Sequence, residues 1–315
     1  MSLATDDREA ASPPAEAIFV VGVHRSGTTL MRSILNSSSL VALTNENHYF
    51  GHLLAAEGVH RAIRALGDLH DDAVVERAVA HVYDRVAVRH WFRDPSRAWV
   101  WLQRNVPREE FRERLLASDR SERAVFDTLL RLYAERRGKT IIGEKTPAHV
   151  RHGDRLLEWY PGGRVIHMLR DPRAIYVSDL RRRRQVPGAL PFRVLNHVPG
   201  GLAAVLLVQT TVAWIESVVR LRDNRRRHAG RYLVVRFEDL VSNPREEVRR
   251  VCRFVGIPFE EQMMDRVVES HGQTLGSSGF DSGAASRWRG QISPLAAGWF
   301  RLWLGRRMRA LGYAD

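Results

Sequence analysis

Short apolar runs rich in β-branched residues alternate along the chain with longer segments of helical periodicity. Runs of this length, bounded by turn-forming residues, are typical of parallel strands that are buried on both faces. The five runs span residues 18–23, 41–43, 140–143, 164–169 and 232–237, and the main helical patterns span 28–37, 172–184, 201–223 and 243–257. The alternation predicts an α/β fold, a doubly wound parallel sheet of about five strands flanked by helices, with ligands at the carboxyl ends of the strands.

Residues 51–139 interrupt this alternation with mostly helical and highly charged sequence. We interpret them as a helical insertion over the sheet, which serves either as a cap on the substrate side or as a purely structural cover. Residues 1–16 are polar and acidic, and they are predicted to form a disordered N-terminal tail. The remainder, 17–315, is predicted to be a single domain.

The most apolar window, residues 201–219, is nearly long enough to span a bilayer. It contains Gln209 and Glu216, so a buried core helix is favoured over a transmembrane helix. Residues 1–16 lack the apolar segment of a secretion signal, and we expect a cytoplasmic protein without a transmembrane segment. The basic and aromatic segment 295–315 fits peripheral contact with an anionic membrane, but packing against the sheet is favoured.

The chain carries a formal net charge of +13, and only two of its basic residues, Lys139 and Lys145, are lysines. Such a surface attracts anions, including nucleic acid, anionic lipid and phosphorylated small molecules. The basic runs are not interleaved with the stacking aromatics that single-strand binders require, so we do not expect a nucleic-acid partner. The single cysteine, Cys252, excludes an intrachain disulfide and a cysteine-based zinc cluster.

Residues 19–30, FVVGVHRSGTTL, have the strand–loop–helix context of a phosphate-binding loop. Gly22 and Gly27 have the spacing of the motif G-x-x-x-x-G-K-[ST], but Thr28 occupies the lysine position. The N–H groups and dipole at the start of the following helix favour an anion, and Arg25 is able to donate two hydrogen bonds to a phosphate. The sequence therefore predicts a P-loop-like anion site whose cation lies within the loop.

The fourth predicted strand is followed by Arg170, whereas a P-loop kinase has a carboxylate at a strand end to hold Mg²⁺. Asp171 precedes Pro172 and is interpreted as a helix N-cap. Glu238 follows the fifth strand, so a metal site is disfavoured rather than excluded. Two cationic strand ends, from Arg25 and Arg170, suit a nucleotide with phosphates at both ends of its ribose. The alternative is a P-loop kinase or nucleotidase with an atypical phosphate loop.

Two motifs resemble those of sulfotransferases that use 3′-phosphoadenosine 5′-phosphosulfate (PAPS). GVHRSGTTLMRSIL (22–35) resembles the loop for the 5′-phosphosulfate, and VIHMLRDPRAIYVSDLR (165–181) resembles the 3′-phosphate motif. The sequences of the two motifs are most similar to those of the tyrosylprotein sulfotransferase branch and its bacterial relatives, which share an arginine in the first loop. The resemblance covers 18–50, 140–184 and about 230–290, and leaves 51–139 uncovered. It implies in-line sulfuryl transfer from PAPS to a hydroxyl without a metal.

The resemblance also implies which residues contact the nucleotide. The 5′-phosphosulfate set is Arg25, Ser26, Gly27, Thr28 and Thr29, and the 3′-phosphate set is Arg170, Ser178 and Arg182. Arg182 joins this set because it lies four residues beyond Ser178, on the same helix face. Arg287 lies in a C-terminal segment that resembles the loop closing over the nucleotide, and Ser277 or Ser278 is a candidate to assist the sulfuryl group there.

Three residues carry the implied chemistry. Lys145, in IIGEKTP, resembles the family lysine that stabilises the bridging oxygen and the departing sulfuryl group. Arg25 shares this role of charge stabilisation. Glu46, in LTNENHYF, matches the glutamate that is the general base of the tyrosylprotein branch, and it would accept the proton of the acceptor hydroxyl.

His48 is the rival general base, since other sulfotransferase branches use histidine; His149 and His167 are weaker rivals. Two departures concern the acceptor. His24 occupies a position where the tyrosylprotein branch tends to have proline, and TNEN (44–47) replaces the acidic sequence around that branch's base. A tyrosine-peptide acceptor is therefore in doubt, and a small-molecule, carbohydrate, lipid or peptide hydroxyl remains open.

Overall fold

The centre of the protein is a five-stranded parallel sheet with the strand order β2-β3-β1-β4-β5. The structure, a computed structural model, describes residues 13–51, 58–86, 96–186, 190–265, 268–270, 273–275 and 280–313. The strands are β1 (Ala17–Gly22), β2 (Val41–Thr44), β3 (Ile141–Lys145), β4 (Arg164–Leu169) and β5 (Tyr232–Arg236). All five predicted strands are present, and the predicted fold class is confirmed.

Helices flank the sheet on both faces. Within the described residues they are α1 (Thr28–Asn36), α2 (Val59–Leu66), α3 (Asp72–His81), α4 (Arg97–Asn105), α5 (Arg108–Leu116), α6 (Ala124–Glu135), α7 (Gly153–Trp159), α8 (Pro172–Gln185), α9 (Leu190–Asn196), α10 (Gly201–Arg227), α11 (Phe237–Ser242), α12 (Pro244–Val255) and α13 (Pro294–Ala310). A short antiparallel hairpin of β6 (Val268–Ser270) and β7 (Gln273–Leu275) was not predicted. The fifth predicted strand was one residue too long, because Phe237 already begins α11.

The alternation of side chains along β1 shows how the layers form. Phe19 and Val21 point into a core shared with α2–α6, whereas Ile18 and Val20 point into a core shared with α1 and α12. All four residues are fully buried. A strand buried on both faces must be apolar at every position, which explains why β1 is a continuous apolar run.

The predicted helical insertion forms the layer over one face of the sheet. Helix α6 connects to β3, contacts both β2 and β3, and buries nine of its twelve residues. Trp99 of α4 and Phe126 of α6 belong to the same core as Phe19 of β1. The insertion thus shares its core with the sheet, because its amphipathic helices need the sheet face to bury their apolar sides.

A third core lies beside the carboxyl ends of β1 and β4, between α8, α10 and α13. Trp214 of α10 is fully buried there, and Phe300 of α13 is buried against the same cluster. Helix α10 is long and apolar enough to cross a membrane by length and composition alone, and 44% of its most apolar window is buried. Helix α13 packs on α8 and α10, and the residues that follow it contact the end of β5, where Arg236 Nη2 donates to the carbonyl of Gly312 (3.2 Å).

Part of the predicted N-terminal tail lies outside the described residues, which begin at 13. Ala15 is buried, and its N–H donates to the carbonyl of Val255 (2.9 Å). Arg164 Nη2 also donates to the carbonyl of Pro13 (3.2 Å). Residues 13–16 therefore contact the folded domain.

Candidate active site

The first phosphate-binding candidate is the turn between β1 and α1. Arg25 and Gly27 adopt the left-handed conformation, with φ of 68° and 93°. A Cβ atom at Gly27 would lie 2.5 Å from the ring of Phe237, so only glycine fits this position. Helix α1 has neither an acidic residue in its first turn nor a capping side chain. Its N-terminal N–H groups and dipole therefore favour an anion.

The residues predicted to contact the 5′-phosphosulfate differ in their burial and in their hydrogen-bond partners. Ser26 is fully buried, and both its backbone N–H (3.1 Å) and its hydroxyl (2.6 Å) donate to the carbonyl of Val23. Ser26 thus shapes the turn, and its contact with a ligand stays a prediction. Thr28 and Thr29 lie in the first turn of α1, where Thr28 is buried and Thr29 is half-buried.

The two predicted phosphate motifs are in direct contact. Arg25 Nε donates to Ser178 Oγ of α8 (3.1 Å), and Arg170 Nη1 donates to the carbonyl of Arg25 (2.9 Å). Burial and the nearby charge of Arg182 lower the pKa of Arg25 from its ordinary value. Positive charge is therefore concentrated where β1 and β4 end side by side, which favours binding of an anion.

Arg170 is held in place by several contacts. Its guanidinium lies 3.9 Å from the ring centre of Phe237, and its Nη2 donates to the carbonyl of Ala284 (3.0 Å). Trp214 Nε1 donates to the carbonyl of Arg170 (3.0 Å). Burial lowers the pKa of Arg170 to about 10, so the group remains a cation at neutral pH. Its buried Nε has no hydrogen-bond partner among the described residues.

Arg182 also faces this region. It is half-buried, and burial together with the charge of Arg183 lowers its pKa from the ordinary value. The negative charge of Glu46 acts to raise the pKa of Arg182, which places Arg182 within electrostatic range of the predicted general base. Arg182 therefore lies within electrostatic range of both Arg25 and Glu46.

Glu46, Lys145 and His48 form the second part of the site. Lys145 is the last residue of β3 and is only 3% exposed, and its Nζ donates to Glu46 Oε1 (2.6 Å). His48 Nε2 lies 3.2 Å from Glu46 Oε2. Although burial opposes ionisation, Lys145 and His48 hold the pKa of Glu46 well below its usual range. In this arrangement Glu46 is a carboxylate and a weak base.

The two weaker histidine candidates are engaged elsewhere. His149 is fully buried, its Nδ1 bonds Glu144 Oε1 (2.8 Å), and its Nε2 accepts from the N–H of Phe50 (3.4 Å). His167 is buried within β4, where it bonds Tyr232 and Ser217 (2.8 and 2.7 Å). Burial lowers the pKa of His167 to about 3, as befits a neutral core residue.

A buried polar network supports the loop that carries Glu46, and sequence reasoning missed it. Glu144 is fully buried in β3 and accepts hydrogen bonds from Asn47 Nδ2 (3.2 Å), Thr146 Oγ1 and His149 Nδ1 (2.8 Å). The Asn47 N–H donates to Thr146 Oγ1 (3.2 Å). The one sequence signal was an acidic residue directly before Lys145 in an otherwise apolar strand. Glu144 thus fixes the path of the loop opposite Lys145.

The helical insertion also contacts this loop. Ser96 Oγ donates to the carbonyl of Glu46, and Trp99 Nε1 donates to the carbonyl of Asn47 (2.7 Å). Both residues lie at the start of α4. The insertion therefore reaches the loop that carries Glu46 and helps to position it.

The carboxylates near Arg170 have structural partners. Asp171 caps α8 by accepting from the N–H of Arg173 (2.8 Å), as predicted, and it also pairs with the Arg173 guanidinium. Glu238 accepts from the N–H of Asp171 (3.0 Å) and from the hydroxyl of Tyr313 (3.2 Å), and burial raises its pKa. The part of the chain that the structure describes contains no cluster of three or more potential metal ligands.

The C-terminal candidates lie at the margin of the site. Ala284, in the short helix Ser282–Ala285, accepts from Arg170, so this segment approaches the 3′-phosphate candidates. Arg287 itself is exposed and pairs with Asp281 (2.6 Å), and its contact with a nucleotide stays a prediction. Ser277 and Ser278 lie outside the described residues.

Comparison with known proteins identifies the family. A sequence model of the sulfotransferase family matches residues 17–261, so the chain belongs to this family. The resemblance of the motifs at 22–35 and 165–181 to sulfotransferases is thereby confirmed, and the alternative of a P-loop kinase or nucleotidase is not favoured.

Individual relatives are distant. The chain is 28% identical over 116 residues to carbohydrate sulfotransferase 1 of Danio rerio. The aligned segment covers 36% of this chain and 27% of that protein. It is 20% identical over 292 residues to the protein-tyrosine sulfotransferase of Drosophila melanogaster, covering 87% of this chain and 47% of that protein. The chain thus spans less than half of the length of these two relatives.

A solved structure shows the same fold over almost the whole chain. The sulfotransferase domain from the curacin biosynthetic pathway has a TM-score of 0.59 at 17% identity, covering 97% of this chain and 99% of that domain.

Proposed function

We propose that the protein is a sulfotransferase that moves a sulfuryl group from PAPS to a hydroxyl acceptor without a metal ion. The observation that carries this proposal is the contact between the two anion-binding motifs, in which Arg170 bonds the backbone of Arg25 and Arg25 bonds Ser178. The family match supports the class of reaction. The donor, the residue roles and the acceptor are inferred from the chemistry of the site.

The nucleotide fits the two cationic strand ends. Arg25 and the N-terminus of α1 suit the 5′-phosphosulfate, because guanidinium and helix N–H groups both donate to anionic oxygens. Arg170 and Ser178 suit the 3′-phosphate, and the buried Arg170 Nε is a donor without a protein partner among the described residues. The ring of Phe237 lies beside both Gly27 and Arg170, so an aromatic side chain adjoins both of the proposed phosphate sites.

The transfer step requires one bond to form and one to break. The acceptor oxygen attacks sulfur as the bond between sulfur and the bridging oxygen breaks, leaving 3′-phosphoadenosine 5′-phosphate (PAP). Glu46 takes the proton of the acceptor hydroxyl. Lys145 and Arg25 stabilise the charge that develops on the bridging oxygen and the transferring group.

The pairing of Glu46 with Lys145 suggests how the base is activated. A carboxylate whose pKa is held low is a poor proton acceptor. When the Lys145 ammonium turns toward the bridging oxygen, Glu46 loses one of the two partners that lower its pKa, so its pKa rises and it becomes a stronger base. One lysine would thereby link the departure of PAP to deprotonation of the acceptor.

The acceptor side lies between Glu46, the start of α4 and the C-terminal half of α8. The contacts of Ser96 and Trp99 with the Glu46 loop support a role of the insertion as an acceptor-side cap. The named activities of the relatives on carbohydrates and on protein tyrosine make a carbohydrate or peptide hydroxyl the first acceptors to test. The predicted cytoplasmic location stays a prediction.

The test is transfer of label from ³⁵S-labelled PAPS in the presence of EDTA to a panel of saccharides, tyrosine peptides and hydroxylated lipids. We expect labelled product from at least one acceptor and none from the Lys145→Met variant. Transfer of label from γ-³²P-ATP with Mg²⁺, together with no ³⁵S product on any acceptor or on a host extract, would overturn the proposal.

A further inference from the structure

The exposed apolar side chains of the protein are concentrated in one part of the fold. Among the described residues, every exposed large hydrophobic side chain lies in 186–219 or 295–303. Three belong to α13: Leu295 is 88% exposed, Leu302 79% and Trp303 54%. A soluble domain normally scatters such side chains singly, so their concentration marks an interaction surface.

Helix α13 has two distinct faces. Its inner face packs into the core with α8 and α10. Leu295, Leu302, Arg306 and Arg309 follow each other at spacings of seven, four and three residues, which places them in one stripe on the opposite face. The outward stripe therefore begins apolar and ends basic.

Helix α10 lies beside α13 and also exposes apolar side chains. Trp299 Nε1 of α13 donates to Thr211 Oγ1 of α10 (3.0 Å), which fixes the two helices side by side. Val208 and Val212, next to Thr211 on α10, are 50% and 56% exposed. Helix α9 packs against α10 and leaves Val194 exposed. We name the six residues Val194, Val208, Val212, Leu295, Leu302 and Trp303 the apolar face.

The charges around the apolar face are almost all positive. Residues 180–215 contain no aspartate or glutamate, and they include the four arginines 181–184. Residues 282–314 also contain no acidic residue, and α13 carries four exposed arginines. A second copy docked on this face would bring like charges together, whereas an anionic bilayer complements them.

We propose that the apolar face is a docking surface for an anionic lipid bilayer, on which the protein lies without spanning it. Leucine and tryptophan side chains beside arginines are the features of helices that bind in the plane of the membrane interface. Helix α10 stays in the fold during docking, because Trp214 and Val218 on its inner side are buried in the core.

The docking surface adjoins the candidate active site. Arg183 of α8 stacks on Phe192 of α9, with the guanidinium 3.6 Å from the ring centre. Helix α8 also carries Ser178 and Arg182. A docked protein would therefore hold one wall of its acceptor side near the membrane surface.

The test is co-sedimentation with phosphatidylcholine vesicles that contain about a third phosphatidylserine, compared with pure phosphatidylcholine vesicles. We expect binding to the anionic vesicles, weak binding to the neutral ones, and loss of binding as salt is raised. Leu295→Glu/Leu302→Glu should reduce the partition coefficient by about tenfold or more, since two leucines no longer enter the interface. Arg306→Gln/Arg309→Gln should reduce only the preference for anionic lipid.

The matched control is Ala65→Glu/Ala117→Glu, which adds the same two carboxylates at exposed positions on α2 and beside α5. Its binding should be close to that of the unmodified chain. Calorimetric titration of PAP, which reports the nucleotide site alone, should give the same affinity for all variants, so docking and the proposed function fail independently. Equal vesicle binding by the control and the leucine variant would overturn the proposal. So would a result in which the unmodified chain binds no vesicles and forms a dimer that the leucine substitutions dissociate and the control substitutions do not.

Discussion

The proposed nucleotide side and the proposed acceptor side of the site differ in how their cationic side chains are paired. On the nucleotide side, Arg25 and Arg170 bond a hydroxyl and backbone carbonyls, which are neutral groups. On the acceptor side, Lys145 is already paired with the carboxylate of Glu46 at 2.6 Å. In the first region the carboxylates of Glu238 and Asp179 lie within electrostatic range of the arginines without bonding them, whereas in the second the lysine is bonded directly to a carboxylate.

This difference assigns separate tasks to the two regions. A cation held by neutral partners gains most from an incoming phosphate, so the nucleotide side is suited to ground-state binding. An ion pair gains most when charge redistributes, so the acceptor side is suited to the transition state. Substitutions on the nucleotide side should therefore change affinity, and those on the acceptor side should change turnover.

The largest effect is expected for Lys145→Met. Loss of the group proposed to stabilise the bridging oxygen should lower kcat by roughly a thousandfold, because such charge stabilisation acts in the transition state. The Kd of PAP should change by less than about threefold. Single-turnover kinetics and calorimetry measure the two quantities. The control is Lys139→Met, the only other lysine, which bonds the carbonyl of Asn36 and should leave kcat unchanged.

Glu46→Gln should have the next largest effect, a fall in kcat of roughly a hundredfold with the affinity for PAP retained. The amide keeps the size of the side chain but has no capacity to accept the proton. Glu113→Gln, an exposed glutamate on α5, is the control. Unchanged turnover of Glu46→Gln would assign the general base to another residue.

Arg170→Met tests the nucleotide side. It should weaken PAP by roughly thirtyfold, because a charge-assisted bond to phosphate is lost, and it should weaken 5′-AMP far less. Arg164→Met, at the opposite end of the same strand, where Arg164 bonds the carbonyls of Pro13 and Gly230, is the control. Equal loss of affinity for PAP and 5′-AMP would remove Arg170 from the 3′-phosphate site.

The smallest effect is expected for His48→Asn, and it separates the two base candidates. His48 has a positive φ of 49°, which asparagine tolerates. If Glu46 is the base, kcat should fall by less than about tenfold. The pKa of Glu46 should rise because a hydrogen bond to the carboxylate is lost, so the acid limb of the profile of kcat/KM against pH should move to higher pH. A loss as large as that of Glu46→Gln would instead make His48 the base.

The sequence predicted the features whose signals are local. The β1–α1 turn, Arg170 at a strand end and Ser178 on the following helix all lie within short motifs. The strands were visible because each is a continuous apolar run, as burial on both faces requires. These elements suffice to locate the residues of the proposed nucleotide side.

The support of the acceptor side depends on contacts between distant parts of the chain. Trp99 reaches Asn47 across 52 positions, and Asn47 reaches Glu144 across 97. Hydrogen bonds of this kind have no periodicity in one sequence. The left-handed conformation of His48 and the pairing of Glu46 with Lys145 depend on the same tertiary packing. The apolar face was missed for another reason: an apolar segment does not reveal which of its faces is buried.

The central claim is that two joined cationic strand ends bind a nucleotide by both of its phosphate ends without a metal. Calorimetric titration of PAP and of 5′-AMP in EDTA tests it most directly. We predict that PAP binds at least about tenfold more tightly than 5′-AMP, with no gain from added Mg²⁺, because the 3′-phosphate contributes a charge-assisted contact. Equal affinity for the two nucleotides, or tighter binding of ATP with Mg²⁺ than of PAP, would contradict the account.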